Sequence, residues 1–403
     1  MKKSKQSKPK KPWPTYPLFW HRNGQWCKKI RGKHHYFGTD ARAAHEEYIR
    51  VAEDLHAGRK PRHRRDDGEP LVKDLVNGFL NTQRQKEANG SNGGNWYDEC
   101  VRVSMHFAEH IGKDRQWDDL DPSDFGRYRN HLCRLHEPPT VSRHVGIVKS
   151  VFKHAFVNNL IAEEVRFGDR FKKPSEREIR RHQNTVEAEN GVRLFGEDEV
   201  RTLLDESSGQ LRAMILLGVN GGYYAVDCAG LSIQMLDDEY TVSLFPRNKT
   251  GMKRTVPLWP ETSEAINEVL NGKRPTPRSP DSENLVFLTQ RGNPWRTEKV
   301  IVDAATGALV MNPKTGRPKV QRKDAIALQF SKLLDRLDIR RAGRGFGTLR
   351  HTFRTWADET LDQHAVDRIM GHKLPGMRGR YVKRIEMTRL RAVTDHVRAK
   401  VFG

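Results

Sequence analysis

The 403-residue chain has no run of about 18 apolar residues, the length a membrane-crossing helix requires. Its N-terminus opens Met-Lys-Lys-Ser-Lys and lacks the apolar stretch of a secretory signal. Cysteine is scarce, and Cys27, Cys100, Cys133 and Cys228 lie far apart with no paired spacing. That argues against a zinc site and a disulfide framework and fits a reducing cytoplasm. Acidic residues are outnumbered, 51 against 72 lysines and arginines, leaving a net charge of +21. Mean hydropathy is −0.79, yet the apolar residues present suffice for two or three cores at about 150 residues per domain. Solubility accounts for a few excess charges but hardly for so many. A polyanion is the expected partner, held by phosphate contacts that weaken steeply with salt.

The surplus is uneven. Residues 1–65 hold 18 basic against 5 acidic residues, a surplus of 13. Residues 1–12 are lysine, serine, glutamine and proline with almost nothing to bury, and are expected as a disordered basic tail. From Trp13 to about residue 60 the pattern changes. Asn23-Gly24 between two strand-like runs, then Gly32 before a third, predicts a three-stranded sheet. A helix follows, with Ala44, Tyr48, Val51 and Leu55 on one face. Lys28, Lys29, Arg31 and Lys33 stand beside aromatic residues on this sheet, a composition suited to a DNA groove or its phosphates. An accessory basic fold that binds nothing specific is the plainer reading.

After a charged Gly/Pro-bearing linker at 58–70, residues 71–165 read as four or five helices with one apolar stripe each. Arg143, His144 and Lys149 on the last of them are candidate phosphate contacts, a solvated face being the alternative. Residues 166–194 are rich in charge and poor in apolar residues and read as an interdomain linker. Residues 195–403 form the remaining domain, opened by the acidic helix start Gly196-Glu-Asp-Glu. Within it, 271–325 reads as an insertion or extended loop.

The segment from Gly347 to Lys383 carries the chemistry. It reads Gly-Thr-Leu-Arg-His-Thr-Phe, later Met-Gly-His-Lys, then Arg-Tyr-Val-Lys, with Tyr381 nine residues after His372. Arg350 is a permanent cation that forks onto two phosphate oxygens. His372 exchanges a proton near neutral pH, and the phenol of Tyr381 can attack phosphorus. Singly each has a bland reading, since Leu349, Phe353 and Trp356 at helical spacing make most of that helix core. Their order and spacing together are what is specific.

That order resembles the C-terminal signature of the tyrosine recombinases, the phage integrase family. The resemblance implies cleavage of double-stranded DNA by a tyrosine, a 3′-phosphotyrosine intermediate, and religation without a metal or other cofactor. Carried over, Tyr381 is the nucleophile, Arg350 the second phosphate-binding arginine, and His372 the Gly-His histidine. Lys249, in the hairpin-like run Arg247-Asn-Lys-Thr-Gly-Met-Lys, is the expected acid for the leaving 5′-oxygen, with Lys253 as fallback. The resemblance also implies an arm-type DNA-binding domain at 13–60, a helical core-binding domain at 71–165, and a catalytic domain at 195–403. The fold class is then mainly α with small β-sheets (α+β), the catalytic domain being mixed α/β. A homotetramer on DNA is implied, coupled through the basic helix 387–402, with packing of that helix in cis as the alternative. The expected location is cytoplasmic, associated with the nucleoid.

Two positions depart from the family. Gly222-Tyr-Tyr-Ala-Val-Asp-Cys-Ala-Gly-Leu231 stands where Gly-Leu-Arg-x-x-Glu-Leu-x-x-Leu is usual, so Tyr224 occupies the first arginine's place. Gly347 occupies that of the histidine three residues before Arg350. Losing one fixed cation at a phosphorane-like transition state costs on the order of 2–4 kcal/mol. Either another cation fills the gap, with Arg247, Arg344 and Arg354 nearby in sequence, or the chain binds recombination sites without cutting them. A type IB topoisomerase-like relaxing enzyme is the third reading.

Overall fold

The computed structural model describes residues 9–58, 69–91, 94–247, 251–272, 274–303, 306–313, 316–372 and 384–403. The chain divides into two compact units. The first comprises residues 1–79, 106–130 and 148–171, the second 80–105, 131–147 and 172–403.

In the first unit β1 (Phe19–Trp20), β2 (Trp26–Ile30) and β3 (Lys33–Tyr36) form an antiparallel sheet in sequence order. Its second turn needs two left-handed residues, and Arg31 at φ 46° and Gly32 at φ 83° supply them. Helix α1 (Ala41–Ala57) lies against the sheet, its start capped by Asp40 Oδ1, which accepts from the amides of Arg42 and Ala43. Tyr16, Leu18, Trp26, Ile30, Ala44, Tyr48, Val51 and Leu55 make a small core of their own. Helices α2 (Val72–Ala88), α3 (Gly94–Ile111), α4 (Pro122–Leu135) and α5 (Pro138–Val157) follow, and the unit boundary cuts all four. In the first unit Phe107, Phe125, Phe152, Phe167 and Phe171 stack edge and face.

Two expectations change here. His144 is fully buried and faces the Arg102 guanidinium at 3.4 Å, so it is a core residue and no phosphate contact. The charged segment expected as linker contains α6 (Glu176–Asn190), closed at its start by a reciprocal Ser175–Glu178 capping box.

The second unit is built around α8 (Gly209–Gly221), where every residue from Ala213 to Gly221 is buried. Around it pack α7 (Glu197–Asp205), α9 (Ala225–Ala229), α10 (Pro260–Asn271), α11 (Ala325–Arg336) and α12 (Thr348–Asp358), with α13 (Gln363–Met370) beside α12. A Cβ at Gly218 would lie 2.8 Å from Leu349, so glycine is what lets α8 and α12 approach. Antiparallel β4 (Val242–Ser243) and β5 (Val256–Pro257) flank the hairpin turn, and Asn220 joins α8 to the exit of β5 through Pro257 O and Trp259 N. Residues 271–325 carry β6 (Arg296–Val300) paired with β9 (Val320–Asp324), and β7 (Met311–Asn312) paired with β8 (Arg317–Pro318).

Helix α14 (Met387–Phe402) packs in cis. It buries Leu390, Val393, Val397 and Val401 in the same core as α7, α8 and α12, and Thr394 O accepts from the Trp259 indole at 2.8 Å. Within this chain the apolar face of the tail is covered in cis, the alternative to docking on a neighbouring protomer. No described helix is long and apolar enough to cross a membrane.

Candidate active site

The site gathers at the C-terminal ends of α8 and α13 and the start of α12. Arg350, one turn into α12, is 3% exposed. Its guanidinium donates to Gly222 O at 2.6 Å, to Met370 O at 2.9 Å and to His372 Nε2 at 2.9 Å. Burial, then the charges of Arg254 and Arg247, pull its pKa down to about 10, so it stays a cation at neutral pH.

His372 is positioned by the end of α13. Gly371 adopts φ 65°, a left-handed cap, and the His372 amide then donates to Asp367 O at 2.8 Å. The imidazole Nδ1 faces Asp367 Oδ1 at 3.2 Å. Arginine has donors only, so Nε2 accepts from Arg350 and the ring proton sits on Nδ1, directed at Asp367. Burial and the Arg350 charge lower the histidine pKa against the opposing pull of Asp367. The imidazole is therefore neutral.

Tyr224 begins α9, its amide donating to Asp227 Oδ2 at 3.0 Å. The Arg350 guanidinium lies 5.0 Å from the centre of its ring, a cation–π contact. A Cβ at Gly347 would lie 3.3 Å from Tyr224 Cε1. The two departures from the family thus touch each other. The tyrosine ring crowds the space that a side chain at 347 would need.

Arg254 was not singled out from the sequence. It is wholly buried, donating to Ile369 O, Asp227 Oδ2 and Gly221 O, with its guanidinium 4.2 Å from the centre of the Tyr223 ring. It thereby fastens β5 to the ends of α8 and α13, the two carbonyl-bearing corners that also hold Arg350. The legible signal was alternation, since Arg254 and the buried Val256 fall on the same side of a strand-like run. Of the three arginines proposed to fill the gap, Arg344 pairs with Glu199 at 2.6 Å and Arg354 with Gln363 and Asp358. Arg247 alone of them acts electrostatically on both Arg350 and His372.

Lys249 and Tyr381 lie outside the described residues. Lys253, the fallback acid, is exposed. Lys29, Arg31 and Lys33 are exposed on the first unit's sheet, whereas the Lys28 ammonium donates to Pro17 O at 2.9 Å. Arg143 pairs with Glu99 at 3.3 Å, and Lys149 stands over the Phe167 ring. Among the described residues no three His, Cys, Asp or Glu side chains come together to hold a metal.

Residues 193–386 match the phage integrase family. No curated protein matches by sequence. A lambda integrase dimer bound to a COC′ core site aligns over 96% of this chain and 100% of its own, at 15% identity and TM-score 0.54. A lambda integrase tetramer bound to a Holliday junction aligns over 92% and 98%, at 15% identity and 0.54. The Tn1549 transposon integrase in complex with a circular intermediate DNA aligns over 81% and 99%, at 16% identity and 0.54. The fold is that of the integrases, mainly helical with small antiparallel sheets. Residues 193–386 thus form a domain of the phage integrase family, the tyrosine recombinases, which are DNA strand transferases.

Proposed function

We propose that this chain cuts and rejoins double-stranded DNA at a specific site through a 3′-phosphotyrosine, as an integrase-type recombinase. The observation that carries the reading is the Arg350–His372 pair, 2.9 Å apart and locked by the carbonyls of Gly222 and Met370. A buried guanidinium held by neutral acceptors keeps its charge unspent for a phosphate. In this reading the Tyr381 oxygen bonds to phosphorus while the bond to the 5′-oxygen breaks, and Lys249 gives that oxygen a proton. Arg350 holds the nonbridging oxygens. The neutral Nε2 of His372 takes the phenolic proton once a phosphate draws Arg350 away, and the imidazolium so formed can then donate to one of those oxygens. The reverse steps rejoin the strand.

The domain roles follow: residues 13–60 as an arm-type DNA reader, 71–165 as the core-binding bundle, and 195–403 as the catalytic domain. Residues 166–194 connect the last two, with α6 in that connection. The partner is double-stranded DNA, on which the chain acts as a homotetramer in the cytoplasm, at the nucleoid. A DNA-bound dimer and a DNA-bound tetramer among its structural relatives support the assembly on DNA.

Tyr224 in place of the first arginine favours a second reading, a protein that occupies recombination sites without cutting. Nicked suicide DNA separates the two. A recombinase leaves a covalent adduct that Tyr381→Phe abolishes, while a pure binder gives only a salt-sensitive gel shift. Absence of an adduct from the wild-type chain rejects the proposal.

A further inference from the structure

A transition state that gathers charge on the nonbridging oxygens is poorly served by one guanidinium. Losing a fixed cation there costs roughly 10²–10³ in rate. Tyr224 brings a ring where the missing arginine is expected, and that ring is already turned to Arg350. Three arginines can be set aside. Arg344 and Arg354 are paired elsewhere, and Arg254 has no exposed surface and spends its donors on two carbonyls and Asp227.

Arg247 is different. We propose that Arg247 supplies the second guanidinium on the scissile phosphate, from the segment between β4 and the hairpin turn instead of from the start of α9. The assignment rests on the strand-transfer reading above. Its backbone is fixed, the amide donating to Met252 O at 2.9 Å and the carbonyl accepting from Gly251 at 2.8 Å. Its Cβ reaches the Gly-His corner, since a Cβ built on Gly371 would lie 2.9 Å from it, with Arg254 Cγ at 2.7 Å on the same glycine. Gly371 thus does two jobs: it caps α13 at positive φ, and its bare Cα admits both limbs of the hairpin, Arg247 before the turn and Arg254 after it, beside His372.

Charge gives the second argument. Arg247 is half-buried and makes no side-chain hydrogen bond or ion pair among the described residues. It stands within electrostatic reach of Arg350 and of His372. Asp227 is committed to Arg254. Gathering unpaired cations in a partly dry corner is unfavourable unless an anion enters among them. A backbone phosphate is the anion that the rest of the site fits.

The test uses the full chain on nicked suicide DNA, with adduct formation timed at DNA concentrations that saturate a gel shift. Arg247→Ala should slow the adduct roughly 10²–10³-fold, with Arg247→Lys recovering part of the loss. Adding Tyr224→Arg to Arg247→Ala should restore at least about tenfold, because a guanidinium then returns from the α9 side. A rate for Arg247→Ala within about threefold of wild type overturns the proposal, and so does failure of Tyr224→Arg to rescue, which marks a merely structural arginine. If the wild-type chain forms no adduct, the strand-transfer reading fails separately. Contact with the backbone is then read from binding, where Arg247→Ala should lower the slope of log K against log salt by about one. An unchanged slope overturns it.

Discussion

An arginine beside a histidine forces a protonation state. Because Arg350 only donates, His372 must accept through Nε2, and burial with the Arg350 charge holds its pKa below the ordinary 6.5. The neutral form is thus the one the fold favours. As pH falls below 6.5 the unfolded chain takes up this proton first, so the stability the site derives from neutral His372 is present above 6.5 and is lost as pH drops through the depressed value. The same proton removes the acceptor for Tyr381. The rate of adduct formation should therefore fall on the acid side, with an inflection below 6.5, and His372→Gln should lower the plateau and erase the inflection. An inflection above 6.5 would contradict the neutral assignment. Arg350 and His372 were legible because their motif spacing survives in the chain. Asp367, which orients the imidazole, was not: an acid five residues before a histidine has no distinguishing pattern until Gly371 turns the chain back. The contact between Tyr224 and Gly347 was equally hidden, since 123 positions separate two departures that the fold makes neighbours.

Elements were legible where burial was one-sided. Helices α1 to α5 and α14 each carry an apolar stripe, and their extents follow from it. Helix α6 buries nothing, so no stripe marks it; the signal that remained was Ser175 followed three residues later by Glu178. The β6–β9 ribbon hid for the related reason that both of its faces are wet. Val300, Val302, Leu309, Met311 and Val320 are exposed, and the polar and apolar positions show no clean alternation. Among the described residues, Arg317 ties this ribbon to α2 and α3. Arg317 places its guanidinium 4.0 Å from the Tyr97 ring centre and pairs with Glu87 and with Asp98, all within the second unit. A half-buried cation over a ring between two acids contributes about 1–2 kcal/mol. Arg317→Ala should release the ribbon, so that limited proteolysis cuts within 301–319 sooner than in wild type while adduct formation changes little. An unchanged digestion pattern would show that the ladder alone holds it.

For the molecule as a whole, charge separates affinity from chemistry. More than half of the net +21 lies in residues 1–65, remote in sequence from Arg350. In the proposed reading, phosphate contacts made there release counterions and raise affinity, a contribution distinct from stabilising the transition state at Arg350. The sheet also limits which of its cations are free: Lys28 is tied to Pro17 O, leaving Lys29, Arg31 and Lys33 exposed. Replacing these three by alanine in the full chain should lower the slope of log K against log salt by about 0.9 for each side chain that touches phosphate. The adduct rate at saturating DNA should stay at the wild-type value, in contrast to Arg247→Ala, which lowers slope and rate together. A triple variant that binds with an unaltered slope would remove the sheet from the DNA interface. One that binds normally but reacts slowly would mean that the N-terminal sheet helps to assemble the active site, because only an influence on Arg350 and its neighbours can change the rate once every site is filled.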